Sequence, residues 1–199
     1  MELAEADRSI LVVIDLQGKL VDKVHRSPLV LAATHRLLEL ADLFGVPVVL
    51  TEQYPRGLGP THPEILARFE ALSVPKRRVE KGSFGCFGEA GFEEALAAVR
   101  PGVAAGERQL IVAGIEAHVC VLQTVLAARQ RQQEVHLCWE AVSGRGAEHR
   151  KEALGRMRQA GAVVSNLESV GFEWARHKDH AQFKAMSALF KQGQIGGDD

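Results

Sequence analysis

At 199 residues, 46% hydrophobic and 25% charged, the chain has an ordinary globular composition and enough length for one well-buried core. A formal net charge of −1 gives it no general attraction to nucleic acid or anionic lipid, which argues against both partner classes apart from local patches. The amino-terminal MELAEADRSI lacks a basic segment followed by an apolar one, and no apolar run approaches a bilayer span, so a cytoplasmic protein is expected.

Short apolar runs alternate with longer amphipathic segments, the rhythm of repeated β–α units. The first strand falls at 9–14 (SILVVI), and the helix after it spans 28–44 and stops at Gly45. A second strand at 46–50 (VPVVL) leads into 53–63 (QYPRGLGPTHP), whose proline and glycine content reads as a loop. The third strand, 76–80 (KRRVE), carries the basic run Lys76, Arg77 and Arg78, a solvated edge face too short to argue for RNA. The loop 82–88 (GSFGCFG) follows; its glycines lack the lysine-serine pair of a P-loop and any dinucleotide fingerprint, so no nucleotide cofactor is implied. Then come a helix at 91–99 with its stop at Gly102, a strand at 109–115 (QLIVAGI), and a helix at 117–132. A strand at 134–139 (EVHLCW), a helix at 147–160 ending at Gly161, and a strand at 162–165 complete the pattern.

The segment 181–191 places Phe183, Met186 and Phe190 on one helical face, to pack on the chain's own core or on a sister subunit, and 192–199 reads as a flexible tail. Three of the strands are nearly all apolar, as in a parallel sheet covered on both faces. The expectation is a single domain over 1–199 with three α/β/α layers, its six-stranded doubly wound parallel sheet in the order 3-2-1-4-5-6.

With strands placed so, Asp15 follows the first, Lys81 the third, and Cys120 lies just beyond the fourth, all facing one crevice at the switch point of the sheet. Each has an ordinary structural reading: a buried cysteine is usually inert packing, an aspartate after a strand a turn residue, and a lysine solvated. Their convergence favours chemistry. A nucleophilic thiol needs its anionic form, which a helix amino terminus and a nearby ammonium promote, and a neighbouring carboxylate serves as base. Cys86, five residues after Lys81, competes as the reactive thiol, whereas Cys138 alternates within a strand and reads as packing. An odd count of three cysteines without close pairing suggests neither a disulfide framework nor a zinc knuckle.

The segments LVVIDLQ (11–17), TEQYPRGLGPTHPE (51–64), EKGSFGCF (80–87), AGIEAHVCVLQT (113–124) and RMRQAGAVVSNLESVGFE (156–173) together resemble the isochorismatase-like cysteine hydrolases, a family that includes nicotinamidases and carbamoyl-amide hydrolases. The resemblance covers nearly the whole chain and implies an Asp15, Lys81 and Cys120 triad. In that scheme Asp15 takes the thiol proton, Cys120 attacks a carbonyl carbon, and water later hydrolyses the thioester. Backbone N–H groups of Glu116 and Cys120 would face the oxyanion, aligned by a cis peptide between Ile115 and Glu116. Homo-oligomerisation, as a dimer or higher, is implied in the same way.

Zinc-dependent nicotinamidases carry an Asp-x-His pair after the second strand and a further histidine, whereas Glu52, Gln53 and Tyr54 stand here, so no metal is expected. His62 lacks that partner pattern, and His118 reads as packing or hydrogen bonding near the helix start. Gln17, Tyr54, Leu58, Phe84, Phe87 and His118 are candidates to line a cleft for a small planar substrate, although the aromatics serve equally well to pin their loops. The expected activity is metal-independent hydrolysis of a small carbonyl compound, an amide above all, without cofactor. Two other classes remain: an idle scaffold for protein–protein interaction, indifferent to loss of Cys120, and a redox sensor in which Cys120 is oxidised ahead of Cys86 and Cys138.

Overall fold

The computed structural model describes residues 3–192; the expected tail over 193–199 lies outside the described residues. Six strands form one parallel sheet: β1 Ser9–Ile14, β2 Val48–Gln53, β3 Lys76–Lys81, β4 Gln109–Gly114, β5 Glu134–Val142 and β6 Val163–Ser165, in the order β3-β2-β1-β4-β5-β6. That is the expected topology.

Every residue of β1, β2 and β4 is buried, and the reason is visible in β1. Its Leu11 and Val13 pack with α2 Ser27–Phe44, α8 Leu167–Ala175 and α9 Phe183–Lys191, while Ile10, Val12 and Ile14 pack with α5 Ala90–Val99, α6 Leu122–Gln130 and α7 Ala147–Gln159. Each such fully buried aliphatic side chain contributes about 1.5–3 kcal/mol. At the edge, β3 exposes Arg77 and Arg78 and buries only its last residue, Lys81.

The structure moves several boundaries. The second strand begins at Val48, since Pro47 has no N–H to give, and it runs past Leu50 because the side chains of Thr51, Glu52 and Gln53 find partners inside the protein. The stretch 53–63 is less open than a loop, with the short helix α3 Pro55–Leu58 inside it and α4 Pro63–Glu70 starting at its end, each with proline in its first turn. The helix over 117–132 divides into a π-helical turn, Ala117–Val121, and α6.

Helix α5 stops at Val99, before Gly102, because Pro101 forces Arg100 out of helical conformation (φ −135°, ψ 66°). Gly45 does end α2, in the left-handed conformation at φ 70°. Helix α8, for which no element was expected, opens on Asn166, whose side-chain oxygen accepts from the Ser169 N–H at 2.8 Å. In α9, Met186 is buried and Phe183 and Phe190 lean on the chain's own core.

Candidate active site

The carboxyl ends of β1, β2, β3 and β4 meet in one crevice. Asp15 leaves β1 with φ 51°, a left-handed backbone that aspartate tolerates better than most side chains. Beside it Gly114 ends β4 at φ 127°, and a Cβ there would lie 2.1 Å from the Ile14 carbonyl oxygen, so only glycine allows β1 and β4 to approach this closely. The peptide between Ile115 and Glu116 is cis, and Ala117 N–H then donates to Ser143 O at 2.7 Å as the chain enters the π-helical turn that carries Cys120.

Asp15 and Lys81 have fully buried side chains, and Lys81 Nζ lies 2.7 Å from Asp15 Oδ2. That contact is a fully buried ion pair. The other oxygen, Oδ1, accepts from Thr51 Oγ1 at 2.7 Å. The Lys81 ammonium is completed by Gln53 Oε1 at 2.6 Å and by the Phe84 and Ser83 carbonyls at 2.9 and 3.2 Å. A buried charge surrounded in this way costs far less than a bare one.

Cys120, 7% exposed, sits against Asp15. Its thiol is pushed up to about 12, by burial first and next by the negative charge of Asp15; the Lys81 ammonium opposes this, and hydrogen bonding to Asp15 raises it further. This reverses the expected direction. The helix amino terminus and the ammonium do not prevail, because the sulfur is desolvated and the ammonium is shared with Asp15. The thiol is therefore protonated at neutral pH, with a carboxylate in place to receive its proton. Burial also raises the fully buried Cys86, to about 11, and Cys138.

The other expected residues are distributed unevenly. Gln17 is wholly buried, and its amide is spent on backbone, donating to Gln53 O at 3.0 Å and Gly59 O at 2.6 Å and accepting from Gln53 N at 2.8 Å. It clamps the β1 and β2 loops together. Tyr54 and Phe84 stand exposed at the crevice-side ends of β2 and β3, and Leu58 is half-buried on α3.

Phe87 packs edge-on against Phe92 at 5.0 Å with the Arg131 guanidinium over its face at 4.5 Å, which pins its loop to α5. His118 turns toward α7 and stacks on His149 at 4.5 Å, in a cavity of about 200 Å³ with Leu122 and Ala153. The Glu116 side chain is held by Arg145 at 2.7 Å. Sequence reasoning missed Thr51 and Gln53, which bind the two charged groups, and Thr124, which receives Cys86 N–H at 3.0 Å and donates to Cys120 O at 2.7 Å. Their signal was a polar Thr-Glu-Gln directly continuing an apolar strand. Among the described residues no three His, Cys, Asp or Glu side chains gather as a metal site, and no helix is long and apolar enough to cross a membrane.

This sheet order and topology are those of an isochorismatase-like hydrolase. The chain belongs to the isochorismatase domain family, whose pattern matches residues 9–169. It is 36% identical over 191 residues to human isochorismatase domain-containing protein 2, covering 92% of this chain and 83% of that one. Among solved structures it is similar to the MAR1 ribonuclease of Caenorhabditis elegans (TM-score 0.86, 30% identity, covering 100% of this chain and 98% of that one). It also resembles the Escherichia coli YcaC gene product, described as an octameric hydrolase of unknown specificity (TM-score 0.83, 25% identity, 96% and 90% covered). YcaC from Pseudomonas aeruginosa, solved with hexane-2,5-diol and covalent acrylamide, is similar at TM-score 0.81 and 25% identity, with 96% and 95% covered.

Proposed function

We propose that this protein is a metal-independent cysteine hydrolase that cleaves a small amide through a thioester on Cys120. The observation that carries the reading is the Asp15 carboxylate, buried between the Lys81 ammonium at 2.7 Å and a protonated Cys120 thiol. Asp15 takes the thiol proton as sulfur bonds to the carbonyl carbon, and N–H groups of Glu116 and Cys120 receive the oxyanion. The proton passes from Asp15 to the leaving nitrogen, the C–N bond breaks, and the amine departs. Water, giving a proton to Asp15, attacks the thioester; the acid leaves, and that proton returns to sulfur. Lys81 positions Asp15, its own donors being held by Gln53 and the Ser83 and Phe84 carbonyls.

The covalent acrylamide of the Pseudomonas relative supports a nucleophile in this fold that reacts with a small electrophile. A redox-sensor role is less favoured, because a thiol held protonated oxidises slowly. The octameric Escherichia coli relative supports a homo-oligomer here, which light scattering of the purified protein would test. The functional test is hydrolysis of a panel of small amides with intact-mass detection of an acyl adduct, and with RNA as the competing substrate class. Adduct and turnover are expected in wild type and absent in Cys120→Ala; an active Cys120→Ala protein would overturn the covalent mechanism.

A further inference from the structure

A second cavity, of about 520 Å³, opens beside the residues that lead into β4 and β5. The six residues of β4 put this end of the sheet roughly 20 Å from Cys120's crevice. Arg108, just before β4, lines the cavity and is only 8% exposed. Its Nε is buried without an acceptor, and among the described residues no hydrogen bond or carboxylate engages its guanidinium. Burial lowers its pKa, with no neighbouring carboxylate opposing the shift.

Gln133, just before β5, lines the same cavity at 3% exposure; its Nε2 donates to Ala105 O at 3.0 Å and its Oε1 has no donor. Exchanging the amide nitrogen and oxygen would set two oxygens together at Ala105, so the unpartnered atom is an acceptor. Also lining the cavity, Arg131 and Glu93 neutralise each other at 2.8 Å, and Leu96 and Ala97 give an apolar wall. The walls therefore hold one uncompensated positive charge, that of Arg108.

We propose that this cavity binds a small organic anion, a carboxylate or phosphate ester, that also carries a hydroxyl or amide hydrogen. The anion sits against the Arg108 guanidinium, whose planar fork matches two acceptor oxygens, and the hydrogen is donated to Gln133 Oε1. One ligand thus satisfies both orphaned groups, each of which is costly to bury alone. The site lies apart from the crevice, so its occupant does not compete with substrate.

The test is calorimetric titration of the full-length protein at fixed ionic strength with 3-hydroxybutyrate, glycerol 3-phosphate and sulfate, the last an anion without a hydrogen. Saturable binding of at least one hydroxyl-bearing anion is expected, tighter than sulfate. It should be unchanged in Cys120→Ala and weakened about tenfold or more in Arg108→Met, the loss of a charge-assisted hydrogen bond. No saturable binding by any of the three, or equal binding by Arg108→Met, overturns the site. Sulfate binding as tightly as the hydroxyl-bearing anions overturns the Gln133 contact. Should Arg108→Met fail to fold, Gln133→Glu supplies an internal carboxylate beside Arg108; it should abolish binding, and undiminished binding refutes the proposal.

Discussion

At the carboxyl ends of the strands Asp15 and Lys81 are buried together, 2.7 Å apart, with Thr51, Gln53 and two carbonyls as hydrogen-bond partners. At the amino ends Arg108 is almost as deeply buried with no partner among the described residues. Asp15 and Arg108 flank strands whose apolar residues fix them in place, and Lys81 ends the edge strand paired to β2, so the difference is in what surrounds the charge. A charge provided with partners is stable in the interior and available for chemistry, whereas a charge without them costs free energy until a ligand arrives. The same contrast explains Cys120: Lys81 is committed to Asp15, and the thiol is left to the desolvation that raises its pKa.

The largest effect expected from breaking the crevice is on turnover. Asp15→Asn removes the proposed base, and steady-state kinetics should show a loss of about 10²–10⁴-fold. The same change removes two causes that raise the Cys120 pKa, the carboxylate charge and its acceptor oxygen. Thiolate then forms at lower pH, so iodoacetamide alkylation of Cys120, read by mass spectrometry near pH 8, should accelerate while turnover falls. Alkylation and turnover falling together would mean that Asp15 is not what keeps the thiol protonated.

Next in size is the ion pair itself. Lys81→Met leaves the Asp15 carboxylate buried without its cation and should cost about 3–5 kcal/mol in urea unfolding. Adding Asp15→Asn removes the orphaned charge while keeping a side chain that tolerates the left-handed backbone and accepts from Thr51, and should restore most of that loss. A double variant as unstable as the single would assign the cost to Lys81's contacts with the Ser83 and Phe84 carbonyls. A smaller effect follows from Gln53→Leu, which takes one acceptor from Lys81 and one donor from Gly82 O but leaves the Gln17 clamp, built on Gln53 backbone atoms. About 1–3 kcal/mol is expected, by the same unfolding measurement.

The sheet was legible because β1 and β4 carry long apolar runs and β2 opens on one, and the convergence of Asp15, Lys81 and Cys120 was legible because each follows such a run or its edge neighbour. Thr51 and Gln53 were not, since polar residues after an apolar run read as loop until their buried partners are known. Asn166 carries a capping signal for α8, and the residues after it, LESVGFEWA, form that helix. The direction of the Cys120 shift was illegible for a stronger reason: proximity to a helix start and a lysine can be read from spacing, but desolvation cannot. Arg108 and Gln133 are polar flanks to strands, and their burial is invisible in the sequence for that same reason.

The smallest expected effect is the most telling for the comparison. At the crevice, deleting the cation should destabilise the fold; at the other end, in protein freed of small anions, Arg108→Met should stabilise it by about 1 kcal/mol, because the methionine keeps much of the aliphatic stem and sheds a charge that had to be desolvated. Adding a saturating hydroxyl-bearing anion should reverse the order, since ligand bound only by the folded wild type adds stability in proportion to the logarithm of its concentration over Kd. Urea unfolding of both proteins, with and without that anion, reads both halves of the argument. Arg108→Met destabilised by 1 kcal/mol or more in the anion-free protein would mean that the guanidinium is solvated well enough to need no ligand, and the contrast between the two ends of the sheet would disappear.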